Sequence, residues 1–426
     1  MNNKTVVCFG PGPAFKGGLS NYNTSLAKAL VQCENVKTNI VSWTQQYPGI
    51  VPREFKDKVS KTNFLDGTNI VCKYITNYNN PFTWRQTANY ISSLNPDIVI
   101  FQWSIALQGL PLSRIIKRLK KICKAEIIID LHFVVQKEKS KIDRMLTKMG
   151  ISKPDTYIVH ALKTYNELKE LFPSRKFVLT QNGERSKEPN EQTVLKLYHP
   201  IYDLFKVNPA FDVANFKKQY NLKKNVFLFF GFIRKYKGLH NAIKAFSIVA
   251  KQRDDVSLLI CGESFWNTLD KKSLSTKIKN VTFGIAKKIF LGNSDDERNY
   301  NPLALIDELG IKAQVVVFNE FIPNEDVHKY FQASNCAVLY YLTATPSGIE
   351  SLSYNFNMPI LATKVGHFPE TIKDGFNGYL AEANNIDSMA EQMLRFLEHP
   401  LPPENVKESS SKLSWENYAK TILDRI

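Results

Sequence analysis

The segment "TPSGIE", Thr345 to Glu350, combines residue types that can bind an anion. Ser347 and Gly348 stand where a strand is expected to give way to a helix, so free backbone amides would face a ligand. Glycine also allows the ligand to approach the backbone closely. The Ser347-x-x-Glu350 spacing is equally that of a capping box, which stabilises a helix by about 1 kcal/mol. Spacing alone therefore leaves two roles open for Glu350, a ligand contact or a helix cap.

Two further glycine-containing loops have the same strand–loop–helix setting. "FFGFIRKYKGL" places Arg234, Lys235 and Lys237 between a strand and a helix, which suits a diphosphate, although a solvated basic turn has the same composition. Gly17 and Gly18 follow the first strand, where amides can bind an anion or simply form a turn. The loop is not a G-x-G-x-x-G fingerprint, so nicotinamide-dinucleotide binding is not expected.

The composition is that of a folded protein with more than one core. The chain has 426 residues, of which 43% are hydrophobic and 23% charged, and two domains of roughly 200 residues are expected at this length. There is no apolar run of 18 residues and no signal-like start, which predicts a cytoplasmic protein. The six cysteines lack CxxC or Cys/His spacing, which predicts thiols rather than a disulfide framework or a zinc site.

Positive charge is concentrated in the first half of the chain. Residues 1–205 carry 29 Lys and Arg against 16 Asp and Glu, whereas residues 206–426 carry 27 against 24. In "SRIIKRLKKICK", Ser113 to Lys124, apolar residues share one side of a helix and cations lie mostly on the other. This pattern is typical of a helix packed on a sheet, and it would also suit an anionic membrane. No nucleic-acid-binding module is recognisable, so nucleic acid is not an expected partner.

Runs rich in Val and Ile alternate with helical patterns along both halves of the chain. This alternation predicts parallel sheets that are covered by helices on both faces. The expected fold class is α/β, with two Rossmann-like domains that face each other across a cleft. The predicted boundaries are 1–205 for the first domain, 206–225 for a linker, 226–408 for the second domain and 409–426 for a C-terminal helix. Residues 265–301 have the composition of an insertion.

The C-terminal half resembles the retaining, nucleotide-sugar-dependent glycosyltransferases of family 4, group 1, which have the GT-B fold. The resemblance is carried by "GFIRKYKG", "LLICGE", "NEFIPNEDVHKYFQASNCAVLYY", "TATPSGIESLSYNFNMPILATKVGHFPETIKDGFNGYL" and "LSWENYAKTIL". The Gly17-Gly18 loop and "DLHFVV" are weaker matches that extend it over the whole chain. It implies that residues 1–205 bind the acceptor, that residues 226–408 bind the nucleotide sugar, and that the C-terminal helix returns to the N-terminal domain.

The resemblance also implies roles for individual residues. Arg234 and Lys237 would bind the donor diphosphate and stabilise it as it leaves. His132 stands at the place of the family histidine near the sugar, or it is a strand-end histidine without that role. The further donor contacts that the resemblance implies are Gly17, Gly18, Ser347, Gly348, Ile349 and Glu350. No metal and no cofactor are expected, because cations and backbone amides would hold the diphosphate.

The chain departs from the family pattern at the two motif glutamates. Counted back from the strand "PILAT", their places hold Ala344 and Leu352. The chain is therefore similar to a subgroup with an AT-x-SG turn in place of the first motif glutamate, and ribose binding would fall to Glu350. Two other acids are candidates for polar donor contacts, or are simply acids of a loop and of a helix start. They are Glu263 and Glu370.

The activity that the resemblance implies is that of a retaining, hexosyltransferase-type glycosyltransferase (EC 2.4). The enzyme would move a sugar from a UDP- or GDP-linked donor to a glycan or a lipid-linked saccharide of bacterial envelope polysaccharide biosynthesis, such as lipopolysaccharide. It would work in the cytoplasm, or as a peripheral protein at the inner face of the cytoplasmic membrane. Two alternatives stay open, a GT-B nucleotide-sugar epimerase and a protein that binds a nucleotide sugar without turnover.

Overall fold

The computed structural model describes residues 3–48, 55–134, 141–264, 300–346 and 348–423. The strands are β1 Lys4–Phe9, β2 Val36–Gln45, β3 Val71–Asn77, β4 Ile98–Trp103, β5 Glu126–Leu131, β6 Thr156–Val159, β7 Lys176–Thr180, β8 Glu191–Lys196, β9 Asn225–Phe230, β10 Val256–Cys261, β11 Val315–Phe318, β12 Cys336–Leu339, β13 Ile360–Thr363 and β14 Gly378–Ala381. The α-helices are α1 Gly18–Gln32, α2 Pro81–Ser93, α3 Gly109–Ile122, α4 Lys141–Ile151, α5 Leu162–Leu171, α6 Val213–Gln219, α7 Leu239–Ala250, α8 Ala304–Glu308, α9 Val327–Gln332, α10 Gly348–Asn355, α11 Phe368–Thr371, α12 Ile386–Glu398, α13 Pro403–Ser410 and α14 Trp415–Leu423.

The strands form two parallel sheets, as the alternating sequence pattern predicts. The first sheet has eight strands in the order β3-β2-β1-β4-β5-β6-β8-β7, and the second has six in the order β11-β10-β9-β12-β13-β14. In each sheet the strand order reverses beside the first strand, at β1/β4 and at β9/β12. Loops at the carboxyl ends of strands beside such a reversal commonly bind ligands in open α/β sheets. The predicted α/β class with two Rossmann-like domains is confirmed.

Helices bury both faces of each sheet, which explains the near-continuous apolar strands. Every residue of Ile98–Trp103 is buried, for example. One core lies between the first sheet and the inner sides of α2 to α5, and another lies between the second sheet and α7 and α12. The third core joins α1, the C-terminal helices and the facing sides of both sheets. The two domains therefore share apolar contacts rather than sitting on a flexible linker alone.

The C-terminal helix α14 returns to the N-terminal domain, which confirms that prediction. The hydroxyl oxygens of Tyr22 on α1 and Tyr418 on α14 lie 2.7 Å apart, within hydrogen-bonding distance. The indole Nε1 of Trp415 donates a 2.6 Å hydrogen bond to the carbonyl of Ile201. These contacts join the last element of the chain to the first helix and to the segment that crosses between the domains.

Two sequence predictions concern segments between regular elements. The predicted linker 206–225 contains α6, whose buried Phe216 lies with its ring centroid 5.8 Å from that of Tyr330 in the second domain. Of the predicted insertion 265–301, residues 265–299 lie outside the described residues. The exact domain boundaries stay predictions. Within the described ranges, no helix has the length and apolar character needed to cross a membrane.

Candidate active site

A cavity of about 300 Å³ lies between the two domains, at the carboxyl ends of strands from both sheets. It is bounded by the loops that follow β1, β9, β10 and β12, so strands at both points of strand-order reversal contribute to it. The sequence-predicted residues that line it are Gly17, Gly18, Lys237, Glu263, Gly348 and Ile349. The structure thus brings together groups that lie more than 300 residues apart in the chain.

The glycine loops of the two domains face each other across this cavity. A Cβ atom placed on Gly18 would lie 3.9 Å from the Cα of Gly348. Tyr202 closes the gap between them, because its hydroxyl donates a 2.7 Å hydrogen bond to the carbonyl of Gly18. A Cβ on Gly348 would lie only 2.8 Å from the Tyr202 ring, so the close approach requires glycine there. Gly17, with φ +104, supplies the turn into α1. Ser347 lies outside the described residues, and its predicted role stays a prediction.

Lys237 is the buried cation of the cavity. The residue is only 8% exposed, and its Nζ lies 2.9 Å from the position of a Cβ on Gly231. Burial, together with the positive charge of Arg234, lowers the pKa of Lys237 from 10.5 to about 7. A diphosphate in the cavity would raise the pKa of Lys237 again, because a nearby negative charge stabilises the ammonium form.

Arg234 is placed differently from Lys237. It does not line the cavity, and its guanidinium carbon lies 5.6 Å from the ring centroid of Tyr236. In the structure as it stands, Arg234 acts on the cavity through its charge on Lys237. Its predicted direct contact with the donor diphosphate stays a prediction.

Lys16 is a second cation of the cavity that sequence reasoning missed. Its Nζ lies 3.7 Å from Oε2 of Glu263, and both side chains are nearly buried. The same Nζ lies 4.7 Å from the ring centroid of Phe321. Lys16 belongs to the first domain and its two partners to the second, so the pair spans the cleft. The sequence feature that could have indicated Lys16 is its position directly before Gly17. No spacing along the chain could have indicated its partner Glu263.

Glu350 and Glu370 are engaged elsewhere. The carboxylate of Glu350 accepts a hydrogen bond from Thr371 Oγ1 and pairs with Nε2 of His367, and both members of this pair are buried. Glu350 is absent from the lining of the main cavity. Glu370 pairs with Lys196 of the first domain, with 3.5 Å between Nζ and Oε2. The capping partner of Glu350, Ser347, lies outside the described residues, so the cap stays a prediction, as does the predicted donor contact.

The places of the two motif glutamates are filled by buried apolar side chains. Ala344 is 2% exposed and Leu352 is 3% exposed. The carbonyl oxygen of Ala344 packs so closely on Gly366 that a Cβ on that glycine would lie 1.9 Å away. Leu352 itself lines the cavity. The acids that do line the cavity are Asp57, Glu263 and Glu320, of which only Glu263 was predicted.

His132 lies beside the cleft, in a cluster of rings rather than in the lining of the cavity. Its Nε2 is 2.8 Å from Oε1 of Gln102, and its ring centroid is 4.7 Å from that of Tyr22. Burial lowers the pKa of His132 from 6.5 to about 4. The imidazole is therefore neutral near pH 7, which suits a hydrogen-bonding role better than a cationic one.

Asp130 is the centre of a hydrogen-bonded network behind His132. Its Oδ1 lies 2.8 Å from Nε2 of His160, and its Oδ2 accepts a 2.8 Å hydrogen bond from Tyr22. Burial raises the pKa of Asp130, but His160, His132 and Tyr22 outweigh it and hold that pKa below 3.8. Asp130, His132 and His160 offer ligand atoms within 4.8 Å of one another. Because both carboxylate oxygens already have partners, the geometry favours a structural network over a metal site.

Residues 55–66 of the first domain form a strap that reaches the second domain at the mouth of the cavity. The backbone amide of Lys61 donates to the carboxylate of Glu325, with N···Oε1 at 3.1 Å. The backbone amide of Asn324 donates a 2.9 Å hydrogen bond to Oγ of Ser60. The strap therefore reaches the second domain through exposed polar contacts, while its Phe64 packs in the core that joins the domains.

Replacing Glu325 by alanine is expected to weaken donor binding about threefold to tenfold, because the strap carries Asp57 into the cavity and would lose its anchor. Stability should change little, since the contact lies at the surface. Donor titrations of the variant test this expectation, with Asp326→Ala as the matched control because Asp326 pairs locally with Lys329. An unchanged affinity in the Glu325 variant would show that the strap plays no part in binding.

Residues 211–413 match the family model described as "Glycosyl transferases group 1". Among curated proteins, an uncharacterized glycosyltransferase of Methanocaldococcus jannaschii is 42% identical over 62 residues. That match covers 14% of this chain and only 18% of the relative's length. The matched region of the family model includes the loops after β9, β10 and β12 that bound the cavity.

Solved structures resemble the whole chain. The sucrose-phosphate synthase of Thermosynechococcus elongatus is 15% identical, with 99% of this chain and 98% of that chain covered and a TM-score of 0.60. The Anabaena protein HepE, solved in complex with UDP, is 13% identical with the same coverage and a TM-score of 0.63. A glycosyltransferase of Rickettsia africae is 16% identical over the full length of both chains, with a TM-score of 0.63. At these identities the likeness establishes the fold.

Proposed function

We propose, from the match of residues 211–413 with the group 1 glycosyltransferases, that this chain transfers a sugar from a nucleotide-diphosphate sugar with retention at the anomeric carbon. The observation that carries the proposal is the arrangement of the cavity. Glycine loops of both domains face each other beside the buried cation of Lys237, and Lys16, which is paired with Glu263, adds a second cation. Such a site can hold a diphosphate between the domains.

The chemistry of the proposed reaction is departure of the donor diphosphate and attack by an acceptor hydroxyl. The bond from the anomeric carbon to the diphosphate oxygen breaks, a bond to the acceptor oxygen forms, and the acceptor proton passes to the leaving diphosphate. Lys237 and the amides at Gly348 and Ile349 would stabilise the charge that develops on the leaving group. His132, neutral near pH 7, would hydrogen-bond the sugar. The proposal requires no metal, so chelation with EDTA should leave the rate unchanged.

The proposed donor carries UDP or GDP, and the HepE structure, which was solved with UDP, supports the first of these. The proposed acceptor is a glycan or lipid-linked saccharide of a bacterial envelope polysaccharide, and the outer-core galactosyltransferase of lipopolysaccharide is among the structures with this fold. The positive charge of residues 1–205 supports an acceptor held at an anionic membrane surface. The enzyme would then be cytoplasmic and peripheral to that membrane.

A second function, nucleotide-sugar binding without turnover, is favoured by one observation. Both places of the motif glutamates are buried and apolar, at Ala344 and Leu352. The cavity would then lack the two motif glutamates that the family resemblance leads one to expect, although two other acids, Glu263 and Glu320, line it. The two functions differ in whether the nucleotide is released.

A panel of UDP-, GDP- and ADP-sugars, incubated with and without a membrane lipid extract, distinguishes the candidates. The proposal predicts release of nucleotide from one donor, and only when acceptor is present. Proton NMR of the glycoside should then show the anomeric configuration of the donor. Sugar interconversion without acceptor would instead identify an epimerase, and donor binding without release in any mixture would identify a protein without turnover.

A further inference from the structure

Three neighbouring helices of the first domain, α2, α3 and α4, turn their outer sides to solvent. Their inner sides pack together on one face of the eight-stranded sheet, in a single core. We refer to the exposed side chains of Pro81–Ser93, Gly109–Ile122 and Lys141–Ile151 as the α2–α4 face. It lies on the opposite side of the sheet from α1 and α14, so neither domain contact covers it.

The middle helix carries a continuous exposed stripe. Its members recur every three or four residues, which puts them on one side of α3, and all of them are exposed. They are Leu110, Arg114, Lys117, Lys121 and, just beyond the helix end, Lys124. Neither α2 nor α3 contains an acidic residue. Asp155, which approaches α3, is paired with Lys120 on another side of the helix.

The adjacent helix α4 repeats this pattern. Lys141, Arg144, Met145 and Lys148 are all exposed and follow helical spacing. The acid of this helix, Asp143, is buried and turned inward. The α2–α4 face is therefore positive across two helices without an exposed acid among the residues of those helices.

Large apolar side chains are exposed within the same face. Phe82 is 81% exposed, Met145 is 54% exposed and Leu110 is 36% exposed. These three belong to the first or second turn of their helices, whereas Ile122, which is 40% exposed, is the last residue of α3. Because the helices follow the carboxyl ends of β3, β4 and β5, these turns lie at the edge of the sheet where the Gly17-Gly18 loop enters the cavity. These three apolar side chains thus lie toward the cleft side of the face, together with the first cations of α4, and the cations of α3 extend away from it.

We infer that the α2–α4 face docks on an anionic lipid bilayer. The apolar side chains at the cleft edge enter the interfacial layer, while the cations of α3 and α4 lie over the lipid phosphates. A polyanion such as nucleic acid would attract the cations but would leave three exposed apolar groups in water, which is why a bilayer fits this face better. The inference rests on the proposed function and deepens it, because docking in this orientation turns the cleft toward a lipid-linked acceptor.

Vesicle sedimentation with the full chain tests the inference. The probes are phosphatidylcholine vesicles with and without about one-third phosphatidylglycerol. Wild type is expected to bind the anionic vesicles and not the neutral ones. Neutralising four cations of the α3 stripe, with Arg114→Gln, Lys117→Gln, Lys121→Gln and Lys124→Gln, should weaken binding about 100-fold. The double change Phe82→Ser and Met145→Ser should weaken it about tenfold without altering net charge.

A matched control removes the same charge elsewhere. Four exposed lysines outside the first domain serve this purpose, changed together to glutamine. They are Lys218, Lys224, Lys251 and Lys373. The inference predicts nearly wild-type vesicle binding for this control. Equal loss in both quadruple variants, equal binding of wild type to neutral vesicles, or an unchanged affinity in the Phe82/Met145 variant would each overturn it.

Failure of this inference can be told apart from failure of the proposed function. Donor binding in solution does not involve the α2–α4 face, so titration of a nucleoside diphosphate should give the same affinity for wild type and both surface variants. Vesicle binding without donor binding would contradict the proposed function and support the docking surface. Donor binding without selective vesicle binding would support the proposed function and contradict the docking surface. A duplex oligonucleotide that competes with the vesicles for wild type and for the Phe82/Met145 variant alike would identify a nucleic-acid surface instead.

Discussion

Replacing Lys237 by methionine is expected to lower kcat/KM for sugar transfer by about 10²–10³-fold, the usual cost of removing one preorganised charge contact at a developing anion. Lys237 is buried in the lining of the cavity, where its charge is weakly screened. Methionine keeps much of the side-chain volume, so the loss should appear in activity rather than in folding. Steady-state kinetics with the accepted donor measure the effect. Lys235→Met, on the same turn but outside the cavity lining, is the matched control.

The same lysine should make donor binding depend on pH. Its pKa of about 7 in the folded protein means that the ammonium loses its proton above neutrality. Donor affinity should therefore fall as the pH rises above about 7, until the pKa of the complex is reached. In the Lys237→Met variant this dependence should vanish. A wild-type affinity that is flat between pH 6 and pH 9 would contradict the placement of the diphosphate beside Lys237.

Stability should respond to the same group with a definite sign. The folded-state pKa of Lys237 lies below its ordinary value of 10.5, so the unfolded chain binds more protons between the two values. The contribution of this lysine therefore becomes less destabilising as the pH rises from about 7 toward 10.5. A bound diphosphate would reduce this effect because it stabilises the charged form.

Replacing Glu350 by alanine is expected to lower the free energy of unfolding by about 2–3 kcal/mol, because it leaves the buried His367 and the partly buried Thr371 without their hydrogen-bond partner. Both oxygens of Glu350 are engaged, by His367 and Thr371, and the other ring nitrogen of His367 has no partner within the described part of the chain. The pair ties α10 to α11. Under conditions where the variant is folded, donor affinity should change less than about threefold. Chemical denaturation and donor titration together measure both quantities.

The control for Glu350 is Glu382→Ala. Glu382 pairs with Lys364 and both side chains are about half exposed, so its loss should cost about 1 kcal/mol or less. Glu350→Gln provides a milder test, because the amide can keep one hydrogen bond. A large loss of donor affinity in Glu350→Gln with unchanged stability would support the ribose contact implied by the family resemblance, and it would mean that the carboxylate leaves His367 when donor binds.

Sequence patterns were sufficient where local chemistry and periodicity decide the structure. The Val- and Ile-rich runs predicted the buried parallel strands, and the glycines of "FKGG" and "TPSG" predicted loops at strand ends. Parallel topology then brings those loops to one edge, which explains why Gly17, Gly18 and Gly348 meet around the cavity. The return of α14 was predicted from the resemblance rather than from periodicity.

Side-chain pairing across the cleft could not be predicted in the same way. Spacing placed Glu350 on the first turn of a helix, but its partner His367 stands on the far side of the next strand. Lys16 and Glu263 belong to different domains, so no local pattern joins them. Glu320 and Asp57 reach the cavity only because the strap and the β11 loop meet there. Each of these contacts depends on how distant parts of the chain pack together. No local spacing of residues in a single sequence indicates such packing.

Calorimetric titration of UDP, GDP and ADP into wild type and Lys237→Met tests the central claim most directly, because it needs no acceptor and no knowledge of the sugar. The claim is that a donor diphosphate binds between the glycine loops, beside the buried ammonium of Lys237. One of the three nucleotides should bind wild type at pH 7 and bind Lys237→Met at least about tenfold more weakly. Equal affinity for both proteins, or no binding of any of the three, would contradict the claim.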